Sequence, residues 1–205
     1  MKKLLIPILF FSYFLCTSSS CKKNPSIPAA YNTEFPNNIG TWWKYKIYDL
    51  IYLTTDTTII TVVGNTKLDN GTDVTIWRRN SLLNGTDSLF VDNKPEGIKI
   101  YSNKLASAYP IKRYVLPFSV GNYWTTQNVL DTNRVTLKGD TTVLAGMFIN
   151  AFKLIRNSRI PPGLNVIKEN EWFAPNIGTV FREYQAYGSG TLEGYRMELV
   201  SYLIK

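Results

Sequence analysis

The chain has no histidine, and its two cysteines, Cys16 and Cys21, both fall within the first 21 of its 205 residues. Without an imidazole there is no Ser-His or Cys-His nucleophile system, no histidine general base and no histidine metal ligand. From Lys22 onward there is no thiol, which excludes disulfides, zinc thiolates and iron–sulfur ligation. The N-terminal apolar run, Leu4 to Leu15, spans 12 residues and is interrupted by Pro7 and Ser12; a spanning helix needs about 20. No Lys/Arg cluster stands out: from Tyr31 on, 19 basic residues face 15 acidic ones, an excess of +4. That mild balance carries no nucleic-acid footprint. No cofactor and no metal are expected.

What is present begins with a leader. Lys2 and Lys3, the short apolar run and then Thr17-Ser18-Ser19-Ser20 form the basic, apolar and small-residue sequence of an export signal. Ser19-Ser20-Cys21 resembles the end of a bacterial lipoprotein signal, and the Cys-Lys-Lys-Asn opening is similar to lipoproteins of the Bacteroidota type. The resemblance implies cleavage before Cys21, diacylglycerol on its sulfur and an acylated amine, hence an outer-membrane lipid anchor in the cell envelope. Ordinary secretion would instead leave a free thiol at Cys21. Each buried methylene contributes about 0.8 kcal/mol, so two or three chains hold where one is marginal. Lys22 and Lys23 would then face the headgroups. Residues 1–20 are read as signal peptide and 21–34 as lipidated cysteine and tether, with Pro25 and Pro28 and a reach of roughly 40 Å.

Residues 35–205 read as one mostly-β domain with little helix. Trp43, Tyr45 and Ile47 alternate with Trp42, Lys44, Lys46 and Tyr48. Further β-rich runs lie at 57–63, 74–79, 88–91, 98–101, 134–137, 150–156, 166–173, 179–184 and 195–204. Turn signals separate them, among them Asn70-Gly71, Asn84-Gly85, Pro161-Pro162-Gly163 and Gly188-Ser189-Gly190. Lys104 to Tyr109 fits a single helical turn. Phe35-Pro36-Asn37-Asn38-Ile39-Gly40-Thr41-Trp42-Trp43 matches Leu116-Pro117-Phe118-Ser119-Val120-Gly121-Asn122-Tyr123-Trp124 at a constant offset of 81. This divides the domain into pseudo-repeat units at about 35–115 and 116–205. The expected architecture is a curved antiparallel sheet or half-barrel built from the two units.

The repeated opening, Ala145-Gly146-Met147-Phe148 and Glu171-Trp172-Phe173-Ala174-Pro175-Asn176-Ile177-Gly178-Thr179-Val180 together resemble TapB-like domains of exported β lipoproteins. The resemblance implies a half-barrel like that of lipoprotein carriers and supplies no catalytic residue.

Candidate sites follow from side-chain chemistry. Trp43 and Trp124 occupy equivalent repeat positions and read as core. Their neighbours Trp42 and Tyr123 point the other way, and Trp42 shares its face with Tyr48. Left open, such a face could stack on sugars or cover lipid; Trp is more often largely buried, which favours coverage by the rest of the sheet. Trp77, beside Arg78 and Arg79, is a further candidate for ligand binding, with the core as its commoner fate. Glu169 and Glu171 share one strand face about 7 Å apart, a spacing glycoside hydrolysis can use, although Lys168, Arg182 and Glu183 suit an ordinary charged face. Asp69-Asn70-Gly71-Thr72-Asp73 looks faintly like a calcium loop, yet its twelfth position is Asn80, so a hairpin turn is the stronger reading. Asp56-Thr57-Thr58, Asp87-Ser88-Leu89 and Asp140-Thr141-Thr142 resemble O-glycosylation triplets of Bacteroidota-type exported proteins. The expectation is a non-enzymatic, lipid-anchored envelope protein that binds a glycan, a hydrophobic ligand or an envelope partner. A carboxylate-based glycoside hydrolase and a purely structural assembly protein are the rivals.

Overall fold

The computed structural model describes residues 35–205 apart from 84, 106–108, 127–130, 160–165 and 189–190. The leader, Cys21, the tether, the Pro161-Pro162-Gly163 turn and part of the helical turn read at 104–109 lie outside the described residues. The strands are β1 (Trp42–Asp49), β2 (Thr55–Lys67), β3 (Asp73–Ser81), β4 (Gly85–Lys94), β5 (Gly97–Tyr101), β6 (Lys112–Val115), β7 (Tyr123–Thr125), β8 (Asp131–Val143), β9 (Gly146–Arg159), β10 (Val166–Ala174), β11 (Gly178–Gly188) and β12 (Thr191–Leu203). No α-helix occurs among the described residues.

All twelve strands join one antiparallel sheet in the order β6-β5-β4-β3-β2-β1-β12-β11-β10-β9-β8-β7. Each half is a simple meander, and the halves meet where β1 pairs with β12 over eight residue pairs, from Trp42 with Leu203 to Asp49 with Tyr195. At the far edges, β6 and β7 face each other without a ladder. There the Trp124 indole donates to the Arg113 carbonyl at 2.7 Å, and the Arg113 guanidinium reaches the Thr125 carbonyl at 3.5 Å. The sheet is therefore curled into a nearly closed barrel, which leaves little free edge for unwanted pairing.

The two repeated openings make the same bonds. Gly40 and Gly121 take φ of 89° and 96°, which a glycine tolerates without penalty. The amides of Gly40 and Gly121 donate to Val62 and Val135, and the amides of those valines donate back to Thr41 and Asn122. In both openings the final Trp turns inward and gives its indole N–H to a backbone carbonyl, Trp43 to Ile177 and Trp124 to Arg113.

Alternation along the strands fills the interior, as period 2 requires. Phe35, just before β1, stacks on Trp77 at 5.0 Å and on Phe173 at 5.4 Å. Phe118 bridges Trp124, Phe152 and Phe173. Val62, Val135, Val180 and Leu199 complete this core at 0–1% exposure. The concave face is thus packed with side chains. A smaller cluster holds Leu68, Val74 and Tyr101 with Phe90.

Gly97, the first residue of β5, sits with φ 157° against β6; a Cβ there would lie 2.3 Å from the Tyr114 carbonyl oxygen. Gly97→Ala is expected to part β5 from β6 and cost about 3 kcal/mol in urea unfolding, whereas Gly64→Ala, with open space around it, should stay within about 0.5 kcal/mol.

Candidate functional site

The second half of the interior is ionic. Along β10, moving away from the end that holds Phe35, the inward residues are Phe173, Glu171 and Glu169. Both glutamates are buried, at 2% and 4% exposure. This corrects the solvated charged face that the sequence suggests for them. Their compensation arrives from other strands. Lys112 on β6 pairs with both, at 2.6 Å to Glu169 and through a very short contact to Glu171. Arg182 on β11 lies 2.9 Å from Glu169 and 3.3 Å from Glu171, its Nε out of line for a hydrogen bond. Arg156 on β9 holds Asp131 through two 2.8 Å bonds and approaches Glu169 at 3.7 Å. The hydroxyls of Tyr114 and Thr179 also donate to Glu171. Three cations face three carboxylates, so the layer is neutral overall.

Burial alone would raise the glutamate pKa values, but Lys112 and Arg182 more than offset it. Glu171 is held at about 2, and Glu169 also lies below the ordinary carboxylate range. Burial and Arg182 push Lys112 down, against the pull of both glutamates. Burial drives the Tyr114 hydroxyl well above its usual value, and Glu171 adds to the shift. The void bordered by Lys112, Asn133, Arg156 and the two glutamates is about 10 Å³, room for about one water. Lys112, Arg182 and Arg156 thus pin the pair and satisfy its charge inside the barrel.

The aromatic candidates separate. Trp77 is in the core, at 5% exposure, its indole N–H donated to Asn37 at 2.6 Å. Arg79, beside it, pairs outside with Asp87. Trp42 and Tyr48 lie on the outer face of β1, six residues apart and partly covered, with Lys46 above the Tyr48 ring at 4.9 Å. Tyr123 is 62% exposed on β7, half the barrel away. The structure does not gather them into one surface. Asp69-Asn70-Gly71 is the β2–β3 turn, closed by Gly71 N to Leu68 O and by Thr72 N to the Asn70 side chain. Thr57, Ser88 and Thr141, the middle residues of the glycosylation-like triplets, lie within β2, β4 and β8.

Sequence reasoning missed a cleft of about 550 Å³ at the end of the barrel where residue 35 enters. Phe35, Pro36, Ile39 and Ile204 supply its apolar wall. Five asparagines, Asn37, Asn38, Asn65, Asn93 and Asn176, and Thr75 supply its polar atoms, with Lys205 at the edge. Several amides are oriented by the chain itself. Asn37 donates to Thr75 at 2.8 Å and accepts from Trp77; Asn38 donates to the Lys205 carbonyl at 2.5 Å; Asn93 donates to the Phe35 carbonyl at 3.2 Å. The Asn93 Oδ1 is buried and has no donor among the described residues. The five asparagines are spread from 37 to 176, so no local motif announces them.

No protein-family model and no curated protein matches the chain. Among solved structures, the fold is similar to that of a candidate exported protein of Bacteroides fragilis with a YmcC-like fold, at 14% identity and a TM-score of 0.50 over 82% of this chain and 98% of that one. It is also similar to a candidate lipoprotein of Parabacteroides distasonis, at 16% identity and a TM-score of 0.51 over 83% and 98%. At these identities the likeness is one of fold. The TapB-like resemblance has no counterpart in these matches.

Lys112→Met should cost about 3–5 kcal/mol in urea unfolding, because it strands two buried carboxylates. The folded pKa of Glu171 lies below its unfolded value near 4.5, so its contribution is complete above that value and lost as pH falls towards 2. Glu171→Gln is expected to lower stability at pH 7 and flatten the acid limb between pH 5 and 2, read from urea midpoints across that range.

Proposed function

We propose that the chain is a lipid-anchored envelope protein that works by binding, without catalysis, and that it binds at the cleft beside residue 35. The observation that carries the reading is the contrast between a filled barrel and a roomy polar cleft at its end. A packed interior leaves no lumen for a carried acyl chain, while 550 Å³ lies within the size range of small-ligand sites. The anchor at Cys21 is supported by the leader and by the fold shared with a candidate exported protein and a candidate lipoprotein. Phe35, the first described residue, itself lines the cleft.

A second reading, docking to an envelope protein, is favoured by one observation. Tyr52, Leu53 and Leu82 are 79–84% exposed in the β1–β2 and β3–β4 turns, at the end of the barrel away from residue 35. Photo-crosslinking from position 53 in intact cells would capture one dominant protein if docking is the role, and a diffuse background if it is not.

Cys21→Ser is expected to move the protein from the membrane to the soluble envelope fraction. Intact-mass measurement of the wild-type membrane form should show the added acyl chains. An unmodified thiol at a mature N-terminus would overturn the anchor.

A further inference from the structure

We infer that the cleft beside residue 35 takes a neutral sugar unit of a glycan. The inference rests on the reading of that cleft as the binding site and adds the chemistry of what enters it.

The lining discriminates among ligand classes. It has no carboxylate side chain and a single cation, Lys205, at the edge. A phosphate or carboxylate ligand would meet one counter-charge and otherwise only amides, a poor match for anion recognition, which uses clustered Arg or Lys. An acyl chain would desolvate five asparagines and return no hydrogen bond to any of them. A sugar suits both parts of the wall. Each hydroxyl donates and accepts, and each asparagine amide also offers both functions. The ring's C–H face can lie against Pro36, Ile39 and Ile204.

Two amides at the mouth carry the argument. Asn65 on β2 and Asn176 in the β10–β11 turn are exposed at the mouth. Neither side chain makes a hydrogen bond within the described chain. Asn176 holds φ 64°, a conformation asparagine tolerates better than most residues, so its amide is presented by the turn itself.

The internal repeat gives an independent comparison. The position equivalent to Asn37 in the second opening is Phe118, which is 5% exposed and packs into the aromatic core. The second opening is closed by a ring where the first carries an amide that braces Thr75 and Trp77. At the matched site the fold accepts a large apolar residue, where the first opening places the polar Asn37 that lines the cleft.

The test uses the full chain in its soluble Cys21→Ser form, titrated by heteronuclear NMR and calorimetry. The probes are glucose, galactose, mannose and N-acetylglucosamine, with inorganic phosphate and laurate as the other arms. At least one neutral sugar should bind and shift the Asn65, Asn93 and Asn176 side-chain amides. Asn65→Ala and Asn176→Gly, both exposed and the second compatible with its φ, should each weaken that binding about tenfold, whereas Tyr52→Ala should leave it unchanged. Binding of phosphate or laurate alone, sensitive to the same variants, would overturn the sugar assignment and leave the binding reading standing. Sugar binding indifferent to these variants would overturn the cleft. If no probe binds, the binding reading and this inference fall together.

Discussion

Everything in the barrel depends on the ladder between β1 and β12. Ten of the eleven strand contacts in the sheet join sequence neighbours; this one joins the two ends of the domain. It must form across some 150 residues, so its closure entropy is met only when both meanders are in place. Once formed, it brings the opening before β1 against the residues after β12. Asn38 holds the Lys205 carbonyl, and Lys205 N in turn donates to Thr41. The meeting helps to build the polar cleft: its walls are residues 35–39, residues 204 and 205, parts of β2, β3 and β4, and the β10–β11 turn.

The interior divides its work between two kinds of packing. Near the entering segment, stacked rings exclude water and bury large apolar area. Farther in, three cations and three carboxylates take over, tied to the rings through the Tyr114 hydroxyl. Such a layer is a weak source of net stability and a strong source of register, because any slip of β10 by one residue would turn Glu169 and Glu171 outward and bury Lys168 and Asn170 instead. The bulge opposite Trp172 and Phe173 puts its extra residue, Val180, on β11, so the alternation of β10 runs unbroken and Phe173 shares the inside with both carboxylates.

The all-β architecture was legible because β-branched alternation and turn residues mark most strands. Trp43 and Trp124 could be assigned to the core from the repeat alone. The two strands that escaped, β6 and β7, are only four and three residues long and mix Lys112 and Arg113 with aromatics, too short for a period to emerge. The inward face of β10 was ambiguous for a related reason. Lys168, Asn170 and Trp172 alternate with Glu169, Glu171 and Phe173, so both faces are mixed. What decides the matter is the arrival of Lys112, 57 residues away, with Arg182 and Arg156, and nothing local encodes that. The cleft was hidden in the same way, since asparagines read singly as turn residues.

The strand order has an approximate two-fold symmetry. A half-turn about the barrel axis carries β1–β6 onto β7–β12, and with them the β1–β12 boundary onto the β6–β7 boundary. The symmetry is broken in two places: the β1–β12 boundary carries a full ladder while the β6–β7 boundary carries only side-chain bridges, and Phe118 plugs one opening where Asn37 stands in the other.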